Sequence, residues 1–174
     1  MSGPPRELRA GQAQPHTVEF WGGTAGWSGE DANGFSTGPA TGATLLFHIG
    51  LPGQVGLDLG FARMDSDQLV QEVDEFYACM AARYRLGFVP YVRPFLGIHG
   101  GYTRLSAEYE ILRFEQNGWL TGASAGFEVP MGSRVMLFGA GTISYYGYRD
   151  TTIFLYDVPL ESTGGNAWRY GLRL

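Results

Sequence analysis

Residues 74–88 read DEFYACMAARYRLGF. Phe76, Ala78, Met80, Ala82, Tyr84, Leu86 and Phe88 take alternate positions, and Tyr77, Cys79, Ala81, Arg83, Arg85 and Gly87 take the others. A period of two marks a β-strand, which sends successive side chains to opposite faces. One face here is bulky and apolar. The other is mostly small and carries two arginines.

The same division holds in neighbouring stretches. Val55, Leu57, Leu59 and Phe61 alternate with Gly56, Asp58, Gly60 and Ala62. Trp119, Thr121, Ala123, Ala125, Phe127 and Val129 alternate with Leu120, Gly122, Ser124, Gly126 and Glu128. At residues 168–174, WRYGLRL sets Trp168, Tyr170, Leu172 and Leu174 against Arg169, Gly171 and Arg173. A soluble closed barrel puts its bulk inside and charged residues outside. These strands reverse that order, so the apolar face is expected to meet lipid and the small, charged face a polar lumen. The faces of 17–28 and 133–148 do not separate on this criterion.

Eight such segments run along the chain, at about 17–28, 41–51, 55–64, 74–88, 91–105, 117–129, 133–148 and 166–174. Each is near the ~9–11 residues a tilted strand needs to cross a bilayer. The connections alternate in length. PGQ (52–54), VP (89–90) and PMG (130–132) are tight; GEDANGFSTGPA, DSDQLVQEV, SAEYEILRFEQ and RDTTIFLYDVPLESTGG are long. An up-and-down meander with one elaborated end has this rhythm, and short periplasmic turns opposite long extracellular loops are its outer-membrane form. The expected fold is therefore all-β: an eight-stranded antiparallel transmembrane barrel over residues 16–174, preceded by a flexible segment over residues 1–15.

Composition sets the limits. The 174 residues include 27 glycines and 14% aromatics, and every basic side chain counted beside the three histidines is an arginine. This composition favours strands. No apolar run approaches the ~18 residues of a membrane-spanning helix. A net charge of −5 leaves no basic footprint for nucleic acid. The single cysteine, Cys79, forms no intramolecular disulfide. MSGPPRELRAGQAQPHT has no apolar h-region, as is also true of a chain whose signal has been removed.

GWS at 26–28, PYVRPFLGIHGGY at 90–102 and the terminal WRYGLRL make the chain resemble the small outer-membrane barrels of the OmpA/OmpX type. The resemblance implies a Gram-negative outer membrane, contact with membrane lipid and lipopolysaccharide, and insertion by the outer-membrane assembly machinery. That machinery recognises an alternating C-terminal strand, which maps onto Trp168, Tyr170, Leu172 and Leu174. The family's last residue is usually aromatic; here it is Leu174.

The candidate residues follow from the faces. Asp58, Arg83, Arg85, Arg93, Glu128, Arg169 and Arg173, joined by His48 and His99, are expected to form a paired charge network filling the lumen, because lone buried charges are costly. Trp21, Trp27, Tyr84, Trp119, Phe127 and Trp168 stand near strand ends, where interfacial girdles form. The loops at 106–116 and 149–165 contain the apolar stretches EYEILRF and TTIFLYDVPL. They are expected to pack over the mouth, or to extend the strands into a sheet whose edge meets a protein partner.

No metal or cofactor is expected: EDAN (30–33) and DSD (65–67) lack EF-hand spacing. Nor is an enzyme. Lipid A deacylases of similar topology carry a His-x-Ser pair, whereas His48 precedes Ile49-Gly50, His99 precedes Gly100-Gly101, and Ser144 has no histidine near it in sequence. The expected function is a structural or surface-interaction barrel, with a narrow pore and a lipid A-modifying enzyme as the alternatives.

Overall fold

The computed structural model describes residues 16–28, 37–50, 52–65, 72–87, 91–109, 112–131, 135–155, 158–162 and 165–174. Its strands are β1 (His16–Ser28), β2 (Gly38–Gly50), β3 (Gly53–Asp65), β4 (Glu72–Arg85), β5 (Arg93–Tyr109), β6 (Leu112–Pro130), β7 (Met136–Leu155), β8 (Val158–Ser162) and β9 (Asn166–Arg173). Consecutive strands from β1 to β7 pair antiparallel, β7 pairs with β8 and β9, and β9 closes on β1. Against β7, β8 and β9 share one unbroken register and form a single stave. The result is the all-β, eight-stave, up-and-down ring expected from the alternation. The segment expected to be flexible, 1–15, lies outside the described residues.

The register fixes the ring's width. A path across paired residues runs from Val18 through Leu45, Leu57, Met80, Gly100, Thr121, Tyr145 and Trp168 to Ser28, ten residues beyond its start. With eight staves and that stagger, normal strand spacing gives a tilt of about 40° and a backbone radius of about 8 Å. Side chains fill such an interior.

Stretches expected as loops are partly strand. β5 runs to Tyr109 and β6 starts at Leu112, so 106–116 is largely a paired hairpin. Within 149–165, β7 continues to Leu155 and pairs with β8. Both stretches are rich in β-branched and aromatic residues, which favour continuing the ladder over leaving it. They form a sheet rising from the end of the barrel opposite the tight turns. At the turn end, Gly50 takes φ 125°, a conformation that favours glycine, where β2 hands over to β3.

The faces divide sharply. Val18, Phe20, Leu57, Leu59, Met80, Leu96, Ile98, Leu137, Ile143 and Leu172 point outward and are exposed. Inside, Trp21, Trp27, Tyr77 and Tyr146 pack with Met64, Val73, Leu105, Ala107 and Leu120. Glycines make room for the rings: a Cβ at Gly42 would strike the Trp21 indole, and one at Gly60 the Tyr77 ring.

Candidate functional site

Three charged layers stack in the lumen. At the turn end, Arg83 of β4 faces Glu19 of β1 (Nη1–Oε1 2.5 Å, Nη2–Oε2 2.8 Å) and reaches Glu128 of β6 at 3.0 Å. Arg85 Nε lies 2.8 Å from the other Glu128 oxygen, and Arg85 Nη1 lies 2.9 Å from His48 Nε2. The Arg83 guanidinium also sits 4.1 Å from the centre of the Phe95 ring. A planar fork between two carboxylates and an aromatic face is a setting for arginine rather than lysine.

The middle layer ties the last strand to β3. Arg173 Nη1 donates to Asp58 Oδ2 at 2.8 Å and Nη2 to the Tyr77 hydroxyl at 2.7 Å. Thr44 Oγ1 donates to the second Asp58 oxygen at 2.8 Å. Trp21 covers this guanidinium, with the ring centre at 4.4 Å. In the third layer, Glu75 accepts from Arg169 Nε at 2.9 Å and from the Tyr146 hydroxyl. Trp27 lies against Tyr146, centroids 4.2 Å apart, and stacks on Tyr148.

The inner carboxylates Glu19, Asp58, Glu75 and Glu128 number four, and Arg83, Arg85, Arg169 and Arg173 also number four, so these described ion pairs balance with no net charge. All eight side chains are buried to about nine-tenths or more, so each charge depends on its partner rather than on bulk water.

Several expected placements change. Arg93 shares the lumen parity of β5 but is exposed at the strand's turn end and enters none of these pairs, because the wall stops there and water reaches it. Trp21 and Trp27, expected in the girdle, are 4% and 5% exposed and face inward. The apolar pair Val18 and Phe20 takes the outer face of β1, and parity sends the indoles inside. Tyr84, Trp119, Phe127 and Trp168 do point outward, as do Tyr170, Leu172 and Leu174. Trp119, Tyr145 and Trp168 form a continuous outer aromatic run, with centroids 5.8 Å and 5.1 Å apart.

Glu19 and Glu75 were absent from the expected network, although both stand at lumen parity, next to Phe20 and Phe76. His99 and Ser144, far apart in sequence, meet at 2.7 Å (Nε2–Oγ) across the Gly122 gap. That is half of a nucleophile–base arrangement, buried in the lumen with Ser144 1% exposed. Among the described residues no His, Cys, Asp or Glu cluster could hold a metal ion. The acidic stretches at 30–33 and 66–67 lie outside them.

No family model matches the chain, and no curated protein does. Among solved structures, the crystal structure of Neisserial surface protein A (NspA) aligns with a TM-score of 0.65, covering 91% of this chain and 93% of that one at 13% identity. The likeness is one of fold. With NspA it shares the architecture across nearly its whole length.

Proposed function

We propose that this protein is an integral β-barrel of the Gram-negative outer membrane, with a plugged lumen and a structural or surface-interaction role. The observation that carries this reading is the reversed patterning. An outer wall of exposed Phe, Leu, Ile and Met surrounds an interior of compensated charges. In water such a wall is an aggregation surface; in a bilayer it is the solvated one. The Trp119–Tyr145–Trp168 run, on the side of the rising sheet, fits an outer interface, and the tight turns then face the periplasm. The neighbour's name as a surface protein favours the same setting.

The lumen supports a plug rather than a pore or an active site. Its three ion-paired layers are backed by Met64, Val73 and Leu105 near the far end, all nearly inaccessible. Interaction with a partner then falls to the β5–β6 and β7–β8 sheet above the membrane, whose outer face carries Arg104, Arg113 and Glu115 in contact (2.9 and 2.5 Å). Folding into lipid vesicles should give a heat-modifiable band, and planar bilayers should show no conductance steps. Monodisperse protein in plain buffer overturns the membrane reading. Discrete conductance overturns the plug, and turnover of radiolabelled lipid A overturns the non-enzymatic role.

A further inference from the structure

Charged side chains on the outer wall gather above the aromatic row. Across paired residues of β3 to β6, one row reads Leu59, Ala78, Tyr102 and Trp119. The next, about 7 Å further along the strands, reads Phe61, Phe76, Arg104 and Asn117. Above it stand Arg63, Asp74, Ser106 and Glu115. Of the outward arginines, Arg104 is therefore the nearest to the aromatic row.

These arginines differ in their partners. Arg63 is held by two carboxylates: Nε and Nη2 donate to Asp74 at 2.7 and 3.1 Å, and Nη1 lies 3.2 Å from Glu72. Arg104 and Arg113 divide one between them. The Nη2 of each lies against Oε1 of Glu115, at 2.9 and 2.5 Å. Glu108 meets Arg113 only at 3.9 Å, with its side chain 80% exposed, where water screens the pair. Arg104 is left with a half share of one carboxylate, and the other donors of its fork are unused among the described residues. Beside it the Tyr102 hydroxyl donates to Asn117 Oδ1 at 2.6 Å. That takes the amide's acceptor and leaves its NH2 to donate from an exposed position.

We propose that Arg104 and Asn117 seat the phosphate of an anionic lipid headgroup. The inference rests on the membrane reading, which puts the aromatic row beneath them at the hydrocarbon boundary. A guanidinium fork and an amide NH2 side by side offer adjacent donors to phosphate oxygens. Below and beside them Trp119, Tyr102 and Phe76 are all exposed, an apolar wall for the acyl chains of the same molecule. On the β7 side the register sets Asp150 opposite Asn117, a residue type that repels an anion, and the seat is bounded there. A free phosphate would gain nothing from the apolar rows. Donors immediately above lipid-facing rings select a molecule that has both a phosphate and hydrocarbon chains.

Native mass spectrometry of the full chain, released from detergent micelles, reads the bound lipid directly. Bisphosphorylated lipid A should be retained, and lipid A stripped of its phosphates should bind far more weakly. Arg104→Gln should weaken retention about fivefold, the effect of one arginine at an anionic membrane surface. Asn117→Asp, which exchanges a donor for a carboxylate, should weaken it as well. Arg63→Gln should leave retention unchanged, because that guanidinium is already committed to Asp74 and Glu72. Heat-modifiable bands on unheated gels establish that each variant folds. Equal binding of the dephosphorylated lipid, or equal losses from Arg63→Gln and Arg104→Gln, overturns the seat while leaving the membrane reading intact. Displacement of the lipid by inorganic phosphate overturns it in favour of a free-anion site. Retention that Arg104→Gln leaves untouched overturns it too, and returns Arg104 to the protein-partner surface. A chain that stays monodisperse in plain buffer and never enters micelles sinks the membrane reading itself.

Discussion

Arg173 and Asp58, 115 residues apart in the chain, meet at 2.8 Å inside the barrel. The pair fastens the closing strand to β3 from within, while Leu172 beside it is 63% exposed on the outer face. Arg173→Leu leaves a buried carboxylate with only Thr44 for company, a loss of about 3–5 kcal/mol. Asp58→Leu combined with Arg173→Leu should recover most of that. Urea unfolding in vesicles measures all three chains; a double variant no better than the single would show that the pair is not the source of the loss.

The adjacent position should fail differently. Leu172→Arg puts a charge on the outer wall, at a cost of roughly 2–4 kcal/mol near a bilayer midplane. No partner substitution inside the barrel should rescue it. Folding yield in vesicles against chain length of the lipid distinguishes this lipid-depth penalty from a packing defect.

Glu75 and Glu72 offer a matched comparison on β4. Glu75 is wholly buried between Tyr146 and Arg169, whereas Glu72 makes an exposed pair with Arg63 at 3.2 Å. Glu75→Ala should cost about 3–5 kcal/mol. Glu72→Ala should cost about 1 kcal/mol or less, and that small loss should fade in high salt. Denaturant midpoints at low and high ionic strength report both.

The four tryptophans should divide two and two. Trp119 and Trp168 lie outward, and Trp21 and Trp27 inward. In single-tryptophan chains, lipids brominated near the headgroup should quench the first two and spare the last two. Quenching of Trp21 comparable to that of Trp168 would mean that β1 is turned the other way.

Glycines on the two faces should differ as well. Gly60→Ala drives a Cβ into the Tyr77 ring, while at Gly141 an added Cβ meets nothing. Gly141→Ala should be neutral or stabilising by about 0.5–1 kcal/mol, since strand glycine carries excess unfolded entropy. Gly60→Ala should destabilise by about 1–3 kcal/mol through overpacking. Thermal midpoints of the two variants suffice to compare them.

Residue order alone determined the strand count, the antiparallel meander and the faces of β3, β4, β6 and β9. In those strands one face is predominantly bulky and apolar and the other mostly small or charged, and a period of two is a local property. It also placed Arg83, Arg85, Arg169, Arg173, Asp58 and Glu128 on one inner surface. Only the tertiary structure decided which of them touch, because pairing across a lumen depends on the ten-residue stagger of the ring and not on spacing along the chain. It decided β1 too. Aromatics stand on both of its faces, and the Trp21 and Trp27 indoles went inward, where Tyr77 and Tyr146 receive them. Glu75 was legible by parity from its phenylalanine neighbour on β4, whereas Glu19, on a strand with aromatics on both faces, was not. His99 and Ser144 were not, since nothing in either segment encodes a neighbour 45 residues away. Of the two alternatives open for 106–116 and 149–165, the structure took strand extension for much of their described length. Their punctuation reads as loop, but an adjacent strand already in register made continuing the ladder the lower-energy choice.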